Sequence, residues 1–200
     1  LLYVSGANTQ IIAYASGKYR IFGETLDLGV GNFIDTFARY MDLGFPGGPK
    51  VEQLAKQSQN YIELPYTVKG MDIALSGILT NLRQKIDKRM KREDLAFSMQ
   101  ETVFAMLVEV AERALAHVGK KELVLGGGVA CNSRLQEMCR LMCSERGAKM
   151  FCPAREFLVD NAAMIAFTGE IMYKSGIKKK PDDVDIAPRE RTDMVDVSWK

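Results

Sequence analysis

The sequence is short of the features that mark several protein classes. No apolar run approaches the roughly 18–20 residues that a helix needs to span a bilayer, and no signal peptide is expected. Charge of either sign is nearly balanced, 27 Lys and Arg against 25 Asp and Glu, for a net charge of +2. Bulk attraction to nucleic acid or to a membrane is therefore excluded, and any RNA contact must come from a local patch or a partner. Histidine occurs once, as His117, where a predicted helix ends. A cation suits a helix C-terminus, so that residue reads as structural and Ser/His/Asp hydrolysis is poorly supported. The four cysteines, Cys131, Cys139, Cys143 and Cys152, form neither Cys-x-x-Cys pairs nor a secreted disulfide framework. Buried, reduced thiols of a cytosolic protein fit them better than a metal pair on one helix face. Internal repeats and low-complexity tracts are also missing.

What is present is an ordinary globular composition, 47% hydrophobic and 26% charged, on 200 residues. The first quarter reads as a β-meander: Leu1 to Val4, Gln10 to Tyr14 and Tyr19 to Gly23, with turns at 5–8 and 15–18. Glycine in both turns would permit the positive φ of tight hairpins. A helix is predicted over Leu26 to Tyr40, with Asp27 near its start, and another from about Pro49 to Gln57 after the break at 44–49. Leu64 to Gly70 reads as a loop or edge strand, Ile73 to Met90 as helix, and Glu93 or Asp94 to His117 as a long helix. Strand, helix, strand, helix then follow at Leu123 to Leu125, Asn132 to Glu145, near Met150, and Asn161 to Tyr173. That alternation predicts an α/β layer with parallel strands. From Lys178 onward the charged, Pro-containing segment reads as a tail or partner-docking strand rather than core. The chain opens at Leu1 within what reads as a strand, so a piece of a longer polypeptide is expected.

Four clusters carry candidate chemistry. The strand ending at Leu125 runs into Gly126-Gly127-Gly128 and then Asn132 at a helix mouth. Three glycines there are costly in chain entropy, which suggests either a close ligand on the free helix amides or a tightly packed turn. The spacing is neither a dinucleotide fingerprint nor a Walker loop. The hairpin Tyr3-Val4-Ser5-Gly6-Ala7-Asn8-Thr9 offers hydroxyls and turn amides as a phosphate cradle, although Ser, Gly and Asn are also plain turn formers. Asp35, Gly47, Gly48 and Glu52 could hold a sugar, or could be a solvated carboxylate, a loop and a helix-dipole partner. Asp160, between an apolar run and an apolar helix, is either that helix's N-cap or a carboxylate aimed at a cleft, where it could bind a metal.

These clusters, together with Gly23-Glu-Thr-Leu-Asp27, Val68-Lys-Gly-Met71 and Gln100-Glu-Thr102, resemble in order and spacing the tRNA threonylcarbamoyladenosine transferase family. That family is the catalytic subunit of the KEOPS complex and formerly carried an O-sialoglycoprotein endopeptidase label. The tail, Arg189 to Trp199, resembles the archaeal and eukaryotic branch, and Ala7 stands where many members have Gly. The resemblance implies an α/β actin–hexokinase-like (ribonuclease H-like) ATPase lobe, a mixed sheet with packed helices. It would be the C-terminal part of a two-lobe protein: residues 1–176 the lobe, with a helical insertion near 50–118, and 177–200 the tail. It implies transfer of threonylcarbamoyl from threonylcarbamoyl-AMP to the adenosine following the anticodon in ANN-decoding tRNAs, in the cytoplasm and with no membrane. Tyr3, Val4, Ser5, Gly6 and Ala7 match the acyl-phosphate contact; Asp35, Gly48, Glu52 and Asn132 match the nucleoside site; Tyr3 and Asp160 match ligands of one divalent metal, iron or zinc. ATP or threonylcarbamoyl-AMP is the implied nucleotide, and tRNA and KEOPS subunits, including a small kinase that is fused after the tail in some members, the implied partners. The family's His-x-x-x-His metal pair is absent from these residues, so the piece alone is expected to be inactive. A non-catalytic ATP-binding and kinase-interaction module is the alternative, and a metalloendopeptidase fits less well.

Overall fold

The computed structural model describes residues 1–199. Its centre is a five-stranded mixed sheet in the order β3-β2-β1-β6-β7. The meander β1 (Leu2–Val4), β2 (Thr9–Ala15) and β3 (Lys18–Glu24) is antiparallel. The later strands β6 (Glu122–Gly126) and β7 (Lys149–Phe151) join β1 in parallel, with Leu2 opposite Leu125 and Tyr3 opposite Gly126. A small ribbon, β4 (Val68–Lys69) with β5 (Asp72–Ile73), attaches through a bridge from Thr25 to Ile73.

Helix α4 (Arg92–Val118) is the backbone of the core. Fourteen of its residues are buried, on more than one face, because the sheet, α2 (Gly47–Ala55), α3 (Ser76–Asp87) and α5 (Ser133–Glu145) all pack on it. Helix α1 (Val30–Tyr40) buries Phe33, Ile34 and Phe37 on its apolar stripe and crosses α2 and α3. Among the described residues the four buried polar ones are all paired, whereas Asn81 Oδ1 on α3 is a buried oxygen with no hydrogen-bond partner. Thr9 accepts from the Val30 amide, Ser98 joins Asp94 to Ile62, Thr102 meets the Tyr61 hydroxyl, and Gln100 meets Asn132. The Ser98 and Thr102 bonds strap the coil at 58–66 along α4.

Several expected boundaries move for long-range reasons. The helix expected from Leu26 starts at Val30, because the hairpin supplies acceptors for its first amides: Thr9 Oγ1 for Val30, Ser5 O for Gly31 and Gly6 O for Asn32. Asp27 lies outside it and caps α3 instead, accepting from the Leu75 and Ser76 amides. The helix expected from Ile73 starts at Ser76, since Asp72 and Ile73 pair with β4. Positive φ is found in the second hairpin turn, at Ser16 and Gly17, and in neither Gly6 nor Asn8 of the first. That first turn closes through the Ser5 side chain, which donates to Asn8 O and accepts from the Asn8 amide.

After the short α6 (Arg155–Leu158) comes α7 (Ala162–Lys174), and it stands apart. It is apolar on every side yet has no buried residue, with Ile165 68% and Phe167 64% exposed. Helices of that composition are ordinarily covered. Among the described residues the tail forms no strand. It turns at Pro181–Asp183 and Thr192–Met194 and lies along β3, where Arg191 pairs with Glu24 and Asp196 with Lys18. No helix among the described residues is long and apolar enough to cross a membrane.

Candidate functional site

The C-terminal ends of the parallel strands β1 and β6 meet the glycine corner, the position where open α/β sheets place ligands. The middle glycine is explained by packing. Gly127 has φ +88°, and a Cβ there would lie 2.3 Å from Val4 O and 2.5 Å from Val4 C. The backbone that approaches it is the end of β1, so the tightly packed turn, one of the two alternatives, accounts for this residue. Gly128 is different: a Cβ would meet only Val159 Cγ1, at 3.9 Å. The corner leads through a 3-10 turn (Gly128–Cys131) to Asn132, whose Oδ1 caps α5 by accepting from Arg134 and Leu135 at 2.9 and 3.3 Å.

Residues far apart in sequence converge beside that cap. Asp35, half-buried on α1, accepts from the Gly47 amide at 2.8 Å through Oδ1 and so sits at the start of α2. Gly47 is buried where α1 and α2 cross, its Cβ position 2.6 Å from that of Ala38, whereas Gly48 faces open space. One and a half turns along α2, Glu52 Oε1 accepts from the Ser133 hydroxyl at 2.5 Å and the Ser133 amide at 3.1 Å. Partial burial alone would raise the Glu52 carboxyl; the hydrogen bonds from Ser133 and Lys56 outweigh it and hold the group below the usual carboxylate range. Asn132 Nδ2 donates to Gln100 Oε1 at 3.0 Å, and Arg134 grips Glu101 through two 2.7 Å bonds. Asp35 and Glu52 thus each have one oxygen engaged at a helix N-terminus, and the other, Asp35 Oδ2 or Glu52 Oε2, can accept from a hydroxyl.

The hairpin candidates have a more constrained setting. Ser5 and Gly6 give their carbonyls to α1, so that helix's first amides are consumed by protein. Tyr3 is half-exposed on β1 beside Gly126, whose Cβ position lies 3.5 Å from Tyr3 Cδ2. Asp160 is exposed and follows Val159, the neighbour of Gly128. It is not the N-cap of α7; Asn161 is, its Oδ1 accepting from the Met164 amide at 2.9 Å. Tyr3 thus stands beside the corner on β1, and Asp160 follows Val159 in the link between α6 and α7. Among the described residues no three His, Cys, Asp or Glu side chains are grouped to hold an ion. A phenol and a carboxylate suit a hard or borderline cation, but two donors are an incomplete shell.

Other candidates lie elsewhere. His117 stacks edge-on against Phe22 at the far end of α4. Burial pushes the Cys139 thiol up to about 12 and raises Cys143 and Cys152, the behaviour of unreactive core thiols. A cavity of about 780 Å³ opens at the opposite end of the sheet, between Leu1, Tyr14 and Leu115, and holds none of the site residues. Sequence reasoning missed the roles of Ser133, Gln100 and Arg134. A serine after an asparagine at a helix start was the one available signal, and it reads as capping.

Residues 1–167 match the family model described as TsaD, tRNA N6-adenosine threonylcarbamoyltransferase. The chain is 56% identical over 199 residues to a protein of that name from Thermococcus kodakarensis, covering 99% of this chain and 61% of that protein. It is also 56% identical to a "Probable bifunctional tRNA threonylcarbamoyladenosine biosynthesis protein" of Methanoculleus marisnigri, covering all of this chain and 37% of the relative. This chain thus spans about three fifths or less of the length of these curated relatives. Among solved structures, the activator of 2-hydroxyisocaproyl-CoA dehydratase from Clostridium difficile, with bound ADPNP, superposes with a TM-score of 0.53 at 13% identity, over 89% of this chain and 63% of that one. That likeness concerns the fold alone, which is actin–hexokinase-like. On the family model and the long matches at more than half identity, the chain belongs to the TsaD family, the tRNA N6-adenosine threonylcarbamoyltransferases.

Proposed function

We propose that residues 1–176 form the nucleotide-binding C-terminal lobe of a tRNA threonylcarbamoyltransferase, with 177–200 as its tail. The intact protein transfers the threonylcarbamoyl group from threonylcarbamoyl-AMP to the exocyclic amine of the adenosine that follows the anticodon. The observation that carries this reading is the joining of two helix starts beside the glycine corner: Asp35 accepts from the Gly47 amide next to the open Gly48, and Glu52 on that same helix accepts from Ser133, next to the cap residue Asn132. In it, Asp35 and Glu52 accept from ribose hydroxyls, Asn132 lies against the base, and the turn from Tyr3 through Val4, Ser5 and Gly6 to Ala7 faces the acyl phosphate. ATP or threonylcarbamoyl-AMP is the ligand.

Tyr3 and Asp160 would hold a divalent iron or zinc ion, together with donors from outside these residues. Bound there, the ion would polarise a carbonyl or phosphate oxygen. Support for a second lobe comes from α7, whose exposed apolar residues match the need for a covering surface, and from the greater length of the relatives. The tRNA is the substrate and the KEOPS subunits, a small kinase among them, are the partners, in the cytoplasm. The test is Asp160→Ala in the full-length protein: bound metal should fall and tRNA modification should cease. Normal metal content with normal modification removes Asp160 from the site.

A further inference from the structure

In the reading just given, which this inference rests on, Asn132 and Glu52 meet the nucleoside. Both are side chains with several rotamers, and both are locked by residues that the reading leaves without a role. The α5 cap requires the Asn132 oxygen, which turns its nitrogen toward α4. There Gln100, 5% exposed, presents Oε1 at 3.0 Å. With Oδ1 on two amides and Nδ2 on Gln100, the Asn132 amide plane has a single orientation. It keeps one Nδ2 hydrogen for a ligand.

The second lock is at Glu52. Helices α2 and α5 both pack on α4 but touch one another only sparsely. Across that gap Ser133 donates twice to the same carboxylate oxygen, Oε1, by its hydroxyl and its amide, and joins the Lys56 ammonium, one turn along α2, which reaches that oxygen at 2.9 Å. The Glu52 side chain is 17% exposed and its second oxygen is directed by that grip.

We propose that Gln100 and Ser133 are positioning residues, Gln100 fixing the Asn132 amide and Ser133 fixing the Glu52 carboxylate before ligand arrives. Fixing a side chain in advance removes the ordering cost that binding would otherwise carry. Losing one such constraint should weaken binding by about three- to tenfold. The weakening should be selective: ribose recognition suffers with Ser133, base recognition with Gln100.

The experiment is equilibrium titration of the full-length, metal-loaded protein with ATP, 2′-deoxy-ATP, 3′-deoxy-ATP and GTP, with a thermal melt of each variant. Ser133→Ala should lower ATP affinity and shrink the preference for ATP over the deoxy analogues, and Ser133→Thr should restore both. Gln100→Leu should shrink the preference for ATP over GTP, and Gln100→Glu, which keeps an acceptor for Nδ2, should restore it; Gln100→Met replaces Gln100→Leu if that variant does not fold. Lower melting temperatures with unchanged preferences overturn the proposal, as does wild-type binding by Ser133→Ala and Gln100→Leu. Glu52→Ala and Asn132→Ala separate the two levels. If these bind ATP like wild type, the nucleoside site itself is wrong; if they lose it while the positioning variants do not, only the positioning claim falls.

Discussion

Alanine at Gly127 should be far more damaging than alanine at Gly128, one residue on. The perturbation at Gly127 has two parts. Its backbone sits at φ 88° and ψ 159°, a region that residues with a Cβ occupy at a cost of about 1–3 kcal/mol. The added Cβ would also stand 2.3 Å from Val4 O and 2.5 Å from Val4 C, about 1 Å too close. The neighbours are main chain, held in β1 by pairing with β2 and β6, so relief requires moving a strand end. Overpacking of that kind costs about 1–3 kcal/mol more. Together the expected loss is about 4 kcal/mol, which in a domain of this size lowers the melting midpoint by about 8–16 °C. Gly128 has no positive φ and nothing nearer than 3.9 Å, so Gly128→Ala should stay within about 0.5 kcal/mol of wild type. Urea titration and thermal melts of the two variants beside wild type make the comparison. A Gly127→Ala midpoint within about 2 °C of wild type refutes the argument, because the middle glycine would then serve a ligand and not the β1 backbone.

The cap that Asp27 places on α3 should show in acid. Burial acts first to raise this carboxyl, but hydrogen bonds from Ser76, Leu75 and Leu28 prevail and lower it, so its contribution is complete above the unfolded value of about 3.9 and fades as pH falls below that. Asp27→Asn should therefore cost about 1 kcal/mol at pH 7 in urea titrations and progressively less toward pH 3; a constant difference across that range contradicts the assignment. On α7, Ile165→Ser and Phe167→Ser should leave the stability of the 200-residue chain within about 0.5 kcal/mol in urea titrations, whereas a large loss of stability would mean that α7 is packed.

Much of the fold was legible because its signals are local. The long helix was expected to end at His117 and does so at Val118, since a run of good helix formers closes on Gly119 in the left-handed conformation. The meander and the later strand–helix alternation followed from period and turn residues. The misplaced starts, Leu26 for Val30 and Ile73 for Ser76, share one cause: the deciding hydrogen bonds come from Thr9, from the first turn, or from a strand partner. Position alone offers Asp160 as a cap or a metal ligand, and Asn161 one residue later takes the capping role with its side chain.

The site divides the same way. Residue type marks Asp35, Gly48, Glu52, Asn132, Tyr3 and Asp160 only as chemically able, with turn, cap and solvated-face alternatives beside them, and the family resemblance is what groups them as one set. Their mutual arrangement was not visible. Glu52 meets Ser133 across 81 residues and Asn132 meets Gln100 across 32, and no periodicity or turn rule reaches that far. Sequence by itself determined which local elements form and which side chains are chemically able; tertiary packing on α4 decided which oxygens are tied, which remain free, and that the middle glycine serves the β1 backbone. The physical reason is range: propensity and capping act within a few residues, whereas a binding site is made where distant helix ends are brought together by a shared core.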